Sequence, residues 1–263
     1  MIFMPNRIQS LFANKRSGIL SVFFTAGFPS LNDTEVIGEA LESSGADLVE
    51  IGVPFSDPVA DGPVIQESNK IALDNGISVR KILGQVRDLR ARTKFPIILM
   101  GYLNPVLQFG LDAFCREASG AGADGLILPD LPMDEYLEDY KQVFEKYGLL
   151  NIFLISPTTS EKRIREIDEV SNGFIYAVSA SSTTGVKGEF TNEQEQYFKR
   201  LAEMKLKNPL LIGFGISNHS TFAKACQFAS GAIIGSAFIS MLKNSKNLHG
   251  DIRSFVENIR QQP

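Results

Sequence analysis

Short apolar runs alternate with amphipathic stretches along this chain. The runs fall at residues 20–25, 48–53, 96–100, 125–128, 151–155, 174–178, 210–213 and 232–234. Runs this short, rich in branched residues and bounded by Gly, Pro, Asn or Asp, read as buried strands. Between them, apolar residues recur at helical spacing: Val36, Ile37, Ala40 and Leu41; Val79, Ile82, Leu83, Val86 and Leu89; Ile164, Ile167 and Val170; Ile252, Phe255, Val256 and Ile259. Tyr136, Leu137, Tyr140, Val143, Phe144 and Tyr147 form another such face, read as packing against the sheet and not as a cofactor stack. Residues 4–14, 64–73 and 111–121 also read as helices. Thr191 with Gln194 predicts a capping box, and Asn218 opens a further helix. Gly45, Gly122, Gly148, Gly173 and Gly231 fall between a helix and the next run, where a left-handed stop is expected. Strands alternating with helices give a parallel sheet. Eight such repeats in about 250 residues predict a (β/α)8 TIM barrel in preference to an open doubly wound sheet. An extra N-terminal helix precedes the first strand, and a short helix follows the eighth. No linker or composition shift interrupts the pattern, so residues 1–263 are expected to form a single domain.

One position breaks the apolar pattern. Glu50 sits inside the run 48–53, on the face it shares with Leu48 and Gly52. A carboxylate there is costly unless it is paired or functional. A neighbouring Lys or amide would satisfy it structurally, but its place at the C-terminal end of a core strand favours a functional role. Past Pro54 the chain enters a loop with two more acids, Asp57 and Asp61. Ser56-Asp57-Pro58 and Ala60-Asp61-Gly62-Pro63 are both good turn chemistry, and spacing does not choose between them. Barrel enzymes place their chemistry at the C-terminal ends of the strands. There, Gly213-Phe214-Gly215-Ile216 follows the seventh strand and Gly235-Ser236 the eighth. Such glycines permit tight turns, and they also let backbone amides approach an anion at a helix N-terminus. The expected site is a phosphate cradle opposite two carboxylates. No strand ends in a Lys for Schiff-base chemistry; Lys187 lies in the loop after the sixth strand. Acid–base catalysis by Glu50 and an Asp remains.

Composition narrows the partners. The chain has 263 residues, 44% hydrophobic and 21% charged, with a formal charge of −4. That balance suits a globular protein and argues against nucleic acid. Cys115 and Cys226 lie in helix-like segments without metal-ligand spacing, which fits a reducing, cytoplasmic setting. His219 and His249 neighbour neither Cys nor a ligand-spaced acid, so no metal site is expected. The apolar run after Lys15-Arg16 lacks a cleavage site and reads as the first strand, not as a signal peptide. Residues 231–242 are too short to span a bilayer, and no membrane role is expected.

The stretch Val49-Glu50-Ile51-Gly52-Val53-Pro54-Phe55-Ser56-Asp57-Pro58-Val59-Ala60-Asp61-Gly62 resembles the signature of the tryptophan synthase α-subunit family. The similarity continues through Thr25-Ala26-Gly27, Gly62-Pro63 with Ile65-Gln66, Tyr102 with Asn104-Pro105, and Asp130-Leu131-Pro132. It also takes in Pro157-Thr158-Thr159 with Arg163, Gly213-Phe214-Gly215-Ile216-Ser217 and Gly235-Ser236-Ala237, so it covers essentially the whole chain. The resemblance implies a (β/α)8 barrel that cleaves indole-3-glycerol phosphate by a retro-aldol step to indole and glyceraldehyde 3-phosphate. It implies Glu50 as the acid–base, protonating indole C3 and taking the glycerol hydroxyl proton. Asp61, and not Asp57, would hold the indole N–H. Gly185, Gly215, Gly235 and Ser236 would hold the phosphate, with Thr184 also on the substrate. Phe23, Ile65, Met100, Ile127 and Phe214 would enclose the indole, and Tyr176 would lie beside the acids. The resemblance further implies a β-subunit partner in an α2β2 complex, reached by indole through a tunnel. Pro54, Asp57, Pro58 and Asn104 would lie near that interface. The pyridoxal phosphate would belong to the partner and no cofactor to this chain.

This chain departs from the family pattern in places. The loop after the sixth strand usually reads Ser-Arg-x-Gly-Val-Thr-Gly; here it is Ser179-Ala180-Ser181-Ser182-Thr183-Thr184-Gly185. That loop acts as a lid in the family, and residues 181–189 are expected to be mobile without ligand and ordered with phosphate and partner. Val22 stands where Pro is usual, and Ile71 where Arg is common. Two alternatives accompany this reading. One is another phosphate-binding barrel enzyme, such as an indole-glycerol-phosphate synthase, which would need a strand-end Lys, or a sugar-phosphate isomerase. The other is a non-catalytic regulatory barrel that activates a β-subunit; the altered lid favours it, and intact Glu50 and Asp61 argue against it.

Overall fold

Every strand but the split fifth, whose two pieces follow one another directly, is followed by at least one helix that carries the chain back, so neighbouring strands pair in parallel. The computed structural model describes residues 6–179 and 190–261. In order these are α1 (Arg7–Asn14), β1 (Ile19–Thr25), α2 (Asp33–Ser43), β2 (Leu48–Gly52), α3 (Pro63–Asp74), α4 (Val79–Arg90), β3 (Ile97–Met100), α5 (Leu103–Phe109), α6 (Leu111–Ala121) and β4 (Gly125–Ile127). Then come α7 (Met133–Glu135), a π-helical turn (Tyr136–Tyr140), α8 (Lys141–Lys146), β5 (Leu150–Asn151), β6 (Leu154–Ile155), α9 (Glu161–Val170) and β7 (Ile175–Val178). The rest is α10 (Asn192–Glu203), β8 (Leu210–Gly213), α11 (His219–Cys226), β9 (Gly231–Ile234), α12 (Ser236–Asn244) and α13 (Leu248–Arg260).

The sheet closes on itself. β1 pairs with β2 on one side and with β9 on the other. The fifth strand, expected as one run over 151–155, is two short pieces: β5 pairs only with β4, and β6 only with β7. The ladder changes neighbour between them. Ile152 N donates to Leu126 O at 2.9 Å, and Tyr176 N to Phe153 O at 2.9 Å, which carries the barrel wall across the break.

Period-two alternation sorts the strand residues into two layers. Ile19, Leu48, Ile98, Ile127, Phe174, Tyr176, Leu211 and Ile233 fill the barrel. Val22, Phe24, Val49, Ile51, Ile97, Leu99, Ile175, Ile212 and Ile234 face the helices. The N-terminal helix closes the bottom. Asn6 caps α1, and its backbone N–H in turn donates to the Gln9 side chain, so the helix starts at Arg7. Ile8 is fully buried against the interior layer, and the Phe12 ring lies 5.5 Å from that of Phe174.

Two connections on the bottom face are built alike. Gly45-Ala46-Asp47 leads into β2 and Gly122-Ala123-Asp124 into β4, with Gly45 at φ +97° and Gly122 at +99°. Asp47 accepts from Leu20 N at 2.8 Å and Arg260 Nη2 at 2.6 Å, while Arg260 Nε donates to Gly45 O at 2.9 Å. Asp124 accepts from Ile97 N at 2.9 Å and Arg90 Nη2 at 3.0 Å, while Arg90 Nε donates to Gly122 O at 3.0 Å. A second cation joins each: Lys15 on Asp47 at 2.8 Å, and Arg7 on Asp124 at 2.9 Å.

Two further expectations are corrected, and one element is added. Gly173 and Gly231 are not left-handed stops as Gly45, Gly122 and Gly148 are. Gly231 lies within β9, where a Cβ would run into the Ile19 carbonyl. The helix around residues 136–147 is interrupted by the π turn, which seats Tyr136 edge-on to Phe144 and Phe153 at 5.5 and 5.3 Å. A helix not expected, α5, follows β3; the Asp130 carboxylate accepts from Leu103 N at 2.9 Å and so caps it.

Candidate active site

Glu50 points into the barrel near the C-terminal end of β2, fully buried. Ser21 Oγ donates to its Oε1 at 2.8 Å, and Oε2 has no partner among the described residues. Burial pushes the Glu50 carboxyl up to about 7, against the Ser21 hydrogen bond, which pulls it down. A carboxyl poised there exchanges protons readily near neutral pH.

Asp61 comes from the loop between β2 and α3. Tyr102, just after β3, fixes it: the Tyr102 hydroxyl donates to Asp61 Oδ2 at 3.2 Å and accepts from Ala60 N at 2.9 Å. Gln66 Nε2 donates to the Asp61 carbonyl at 2.9 Å. Burial pushes the Asp61 carboxyl up to about 6, with the Tyr102 bond opposing. Asp57 is exposed and accepts from Ser56 Oγ at 2.6 Å. Of the two loop acids, only Asp61 lines the cleft, together with Phe23, Gly52, Val53, Ile65, Asn69, Met100, Gly101, Tyr102 and Pro129. Gly52 leaves room for the Phe23 ring, since a Cβ would come within 2.7 Å of Phe23 Cζ.

Phe23, Ile65 and Met100 thus meet at one mouth with Asp61. Ile127 pairs with Met100 at the end of β4 and is buried in the interior layer. Tyr176 reaches in from β7; burial, then Glu50 and Asp61, hold its hydroxyl well above the usual range, so both acids act on it. Gly213 makes that possible, because a Cβ there would overlap the Tyr176 ring. The chain then turns through Phe214 at φ +66° and Gly215 at φ +76°. The Phe214 ring lies 6.3 Å from that of Tyr176, and its carbonyl accepts from Ser179 Oγ at 2.6 Å. Gly235 lies against Phe23 and leads into Ser236, the first residue of α12. Gly215, Gly235 and the α12 N-terminus therefore stand at the C-terminal end of the strands. Thr184, Gly185 and the lid segment 181–189 lie outside the described residues.

Of the residues expected at a partner surface, Asp57 and Asn104 are exposed, Pro58 half-buried and Pro54 buried. Two apolar side chains stand out nearby: Val59 at 87% exposure in the same loop and Leu107 at 48% in α5. Among the described residues, no group of three His, Cys, Asp or Glu is gathered as metal ligands, and no helix is long and apolar enough to cross a membrane.

Sequence reasoning passed over Ser21 and Asn69. Asn69 follows Ile65 by four residues on the buried face of α3, and a polar residue there is the signal that could have found it.

Known proteins resemble this chain over nearly its whole length. The family model described as tryptophan synthase alpha chain matches residues 9–262. A tryptophan synthase alpha chain of Flavobacterium johnsoniae is 54% identical over 256 residues, covering 97% of this chain and 100% of the relative. That of Parabacteroides distasonis is 50% identical, with the same coverage of both chains. Among solved structures, the tryptophan synthase alpha chain of Legionella pneumophila superposes with a TM-score of 0.88 at 35% identity, over 98% of this chain and 97% of that one. Tryptophan synthase from M. tuberculosis in its aminoacrylate-bound form gives 0.84 at 30% identity, over 97% and 98%. With a family model over nearly its full length and relatives at half identity or more, the chain belongs to the tryptophan synthase alpha chain family.

Proposed function

We propose that Glu50 and Asp61 carry the retro-aldol cleavage of indole-3-glycerol phosphate to indole and glyceraldehyde 3-phosphate. The observation that carries the reading is a fully buried carboxyl, held near neutrality with one oxygen unpartnered among the described residues, on the strand whose Gly52 lines a cleft that also holds a second acid, Asp61. Glu50 starts protonated and gives its proton to indole C3, which leaves positive charge on the ring nitrogen. Asp61 accepts the indole N–H and stabilises that charge. The Glu50 carboxylate then takes the glycerol hydroxyl proton. The C–C bond breaks, its electron pair returns to the indole ring, and the aldehyde forms. Glu50 ends protonated, so the cycle balances.

The phosphate sits on the backbone amides of Gly215 and Gly235 and the α12 N-terminus at Ser236, where the amides point at an anion and the helix dipole favours it. Phe23, Ile65, Met100, Ile127 and Phe214 enclose the indole, and Thr184 and Gly185 complete the substrate contacts. The chain is the α-subunit of an α–β complex. Its partner is the pyridoxal-phosphate-dependent β-subunit, which receives indole through a tunnel in an α2β2 assembly. Pro54, Asp57, Pro58 and Asn104 lie at the contact. The free thiols of Cys115 and Cys226 suit the cytoplasm.

The test is indole release by Glu50→Gln, with and without β-subunit. A loss of about 100-fold or more is expected, with the fold and phosphate-analogue binding kept. A rate near the parent's would overturn the assignment.

A further inference from the structure

Ser21 is fully buried in the middle of β1, on the interior face it shares with Ile19 and Phe23. A hydroxyl in such surroundings is costly unless bonded. Its one described bond is to Glu50 Oε1, at 2.8 Å. The register explains the reach: Phe23 lies opposite Glu50 and Ser21 opposite Leu48, so Ser21 approaches the carboxyl from one layer below, away from the cleft mouth. The two carboxyl oxygens are therefore inequivalent. Oε1 is bonded to a donor, and Oε2 is without one among the described residues.

We propose that Ser21 is a positioning residue for the lyase reaction: its hydroxyl holds Glu50 Oε1 as the fixed acceptor and leaves Oε2 as the single oxygen that gives and takes the proton. This rests on the reading of Glu50 as the acid–base. When Oε2 gives its proton to indole C3, the charge that appears on the carboxylate is shared with Oε1, where the Ser21 donor is already aligned. When Oε2 takes the proton back from the glycerol hydroxyl, Ser21 remains the donor and does not itself lose a proton. The hydroxyl thus stabilises the transient carboxylate and keeps the carboxyl from rotating between its two oxygens. The other titratable group facing Glu50 is Tyr176 from β7, which Asp61 from the loop after β2 also influences. The interior residues of β3, β8 and β9 are apolar: Ile98, Leu211 and Ile233. Ser21 is the only neutral donor bonded to Glu50 among the described residues.

The test is the pH profile of indole release by the α–β complex for three variants at one position. In Ser21→Ala the carboxylate loses its donor, Glu50 holds its proton more tightly, and the falling alkaline limb moves up by about one pH unit. The plateau kcat drops about tenfold with KM within twofold, because the lost donor acts on a charge formed after binding. Ser21→Cys, nearly isosteric and a weak donor, shifts the limb the same way. Ser21→Thr keeps the hydroxyl and restores it. Infrared titration of the carboxyl stretch, assigned by its loss in Glu50→Gln, reports the same shift without turnover. A limb and carboxyl titration unmoved in both Ser21→Ala and Ser21→Cys would overturn the proposal, whatever their stability. If Glu50→Gln itself releases indole with the parent's profile, the reading of Glu50 fails instead.

Discussion

Burying the Glu50 carboxyl comes at a cost to the fold. That carboxyl titrates at about 7 in the folded chain against an ordinary 4.5, and Asp61 at about 6 against 3.8. Both are raised, so the folded state holds protons more tightly than the unfolded one. The stability from protonated Glu50 is fully present below its unfolded value and is lost as pH rises through about 7. Above that pH the buried charge at Glu50 costs on the order of 3 kcal/mol. Glu50→Gln is therefore expected to gain stability over the parent as pH rises from 4.5 to 8, read as the difference in urea midpoint. A midpoint difference flat with pH would mean that the carboxyl is not raised. The sequence exposed Glu50 because an acid interrupts an apolar run. Spacing did not separate Asp61 from Asp57, and only the family resemblance chose Asp61, because the physical choice depends on Tyr102, 41 residues away, reaching Asp61 Oδ2. Ser21 was equally hidden, since a serine in a strand is ordinary until its neighbour across the sheet is known.

The elements were legible where local preference decided them. The capping box on α10 forms as the Thr191 and Gln194 spacing predicts, and Asn218 caps α11. Elements shaped by closure were not legible. The fifth strand breaks because its halves serve different neighbours, and α5 went unread although Asp130 caps a helix there. The two Gly-Ala-Asp connections are likewise visible only in space, because each Asp bonds a strand and an Arg from elsewhere. They predict a contrast. Arg90 is largely buried on a buried Asp124, so Arg90→Ala is expected to cost about 3 kcal/mol by leaving that carboxylate only the half-exposed Arg7 as a cation. Arg92, an exposed neighbour pairing with Glu35 at 3.7 Å and Glu39 at 3.4 Å, should cost under about 0.5 kcal/mol as Arg92→Ala. Chemical denaturation of both variants checks the difference, and equal losses would refute the clamp.

At the scale of the whole molecule, the barrel divides its labour between two ends. The mouth collects the costly features: two raised carboxyls, Phe214 at positive φ and glycines that admit neighbouring rings. The bottom collects the stabilising ones: the α1 plug and both ion-paired connections. Ile8→Ala should thus lower stability by about 2–4 kcal/mol, read as a fall in Tm, while indole release at 25 °C stays near the parent's. A loss of activity without a loss of stability would contradict that division. The closure of β1 onto β9 has a consequence for biosynthesis. Roughly 200 residues separate the two strands, so at about 5–20 residues per second β1 leaves the ribosome roughly 10–40 s before its second neighbour exists. For that interval the nascent chain carries an apolar strand with one bare edge, the form most prone to pair with another chain. Translation speed, as much as composition, then sets how much of this protein is lost to aggregation before it is finished.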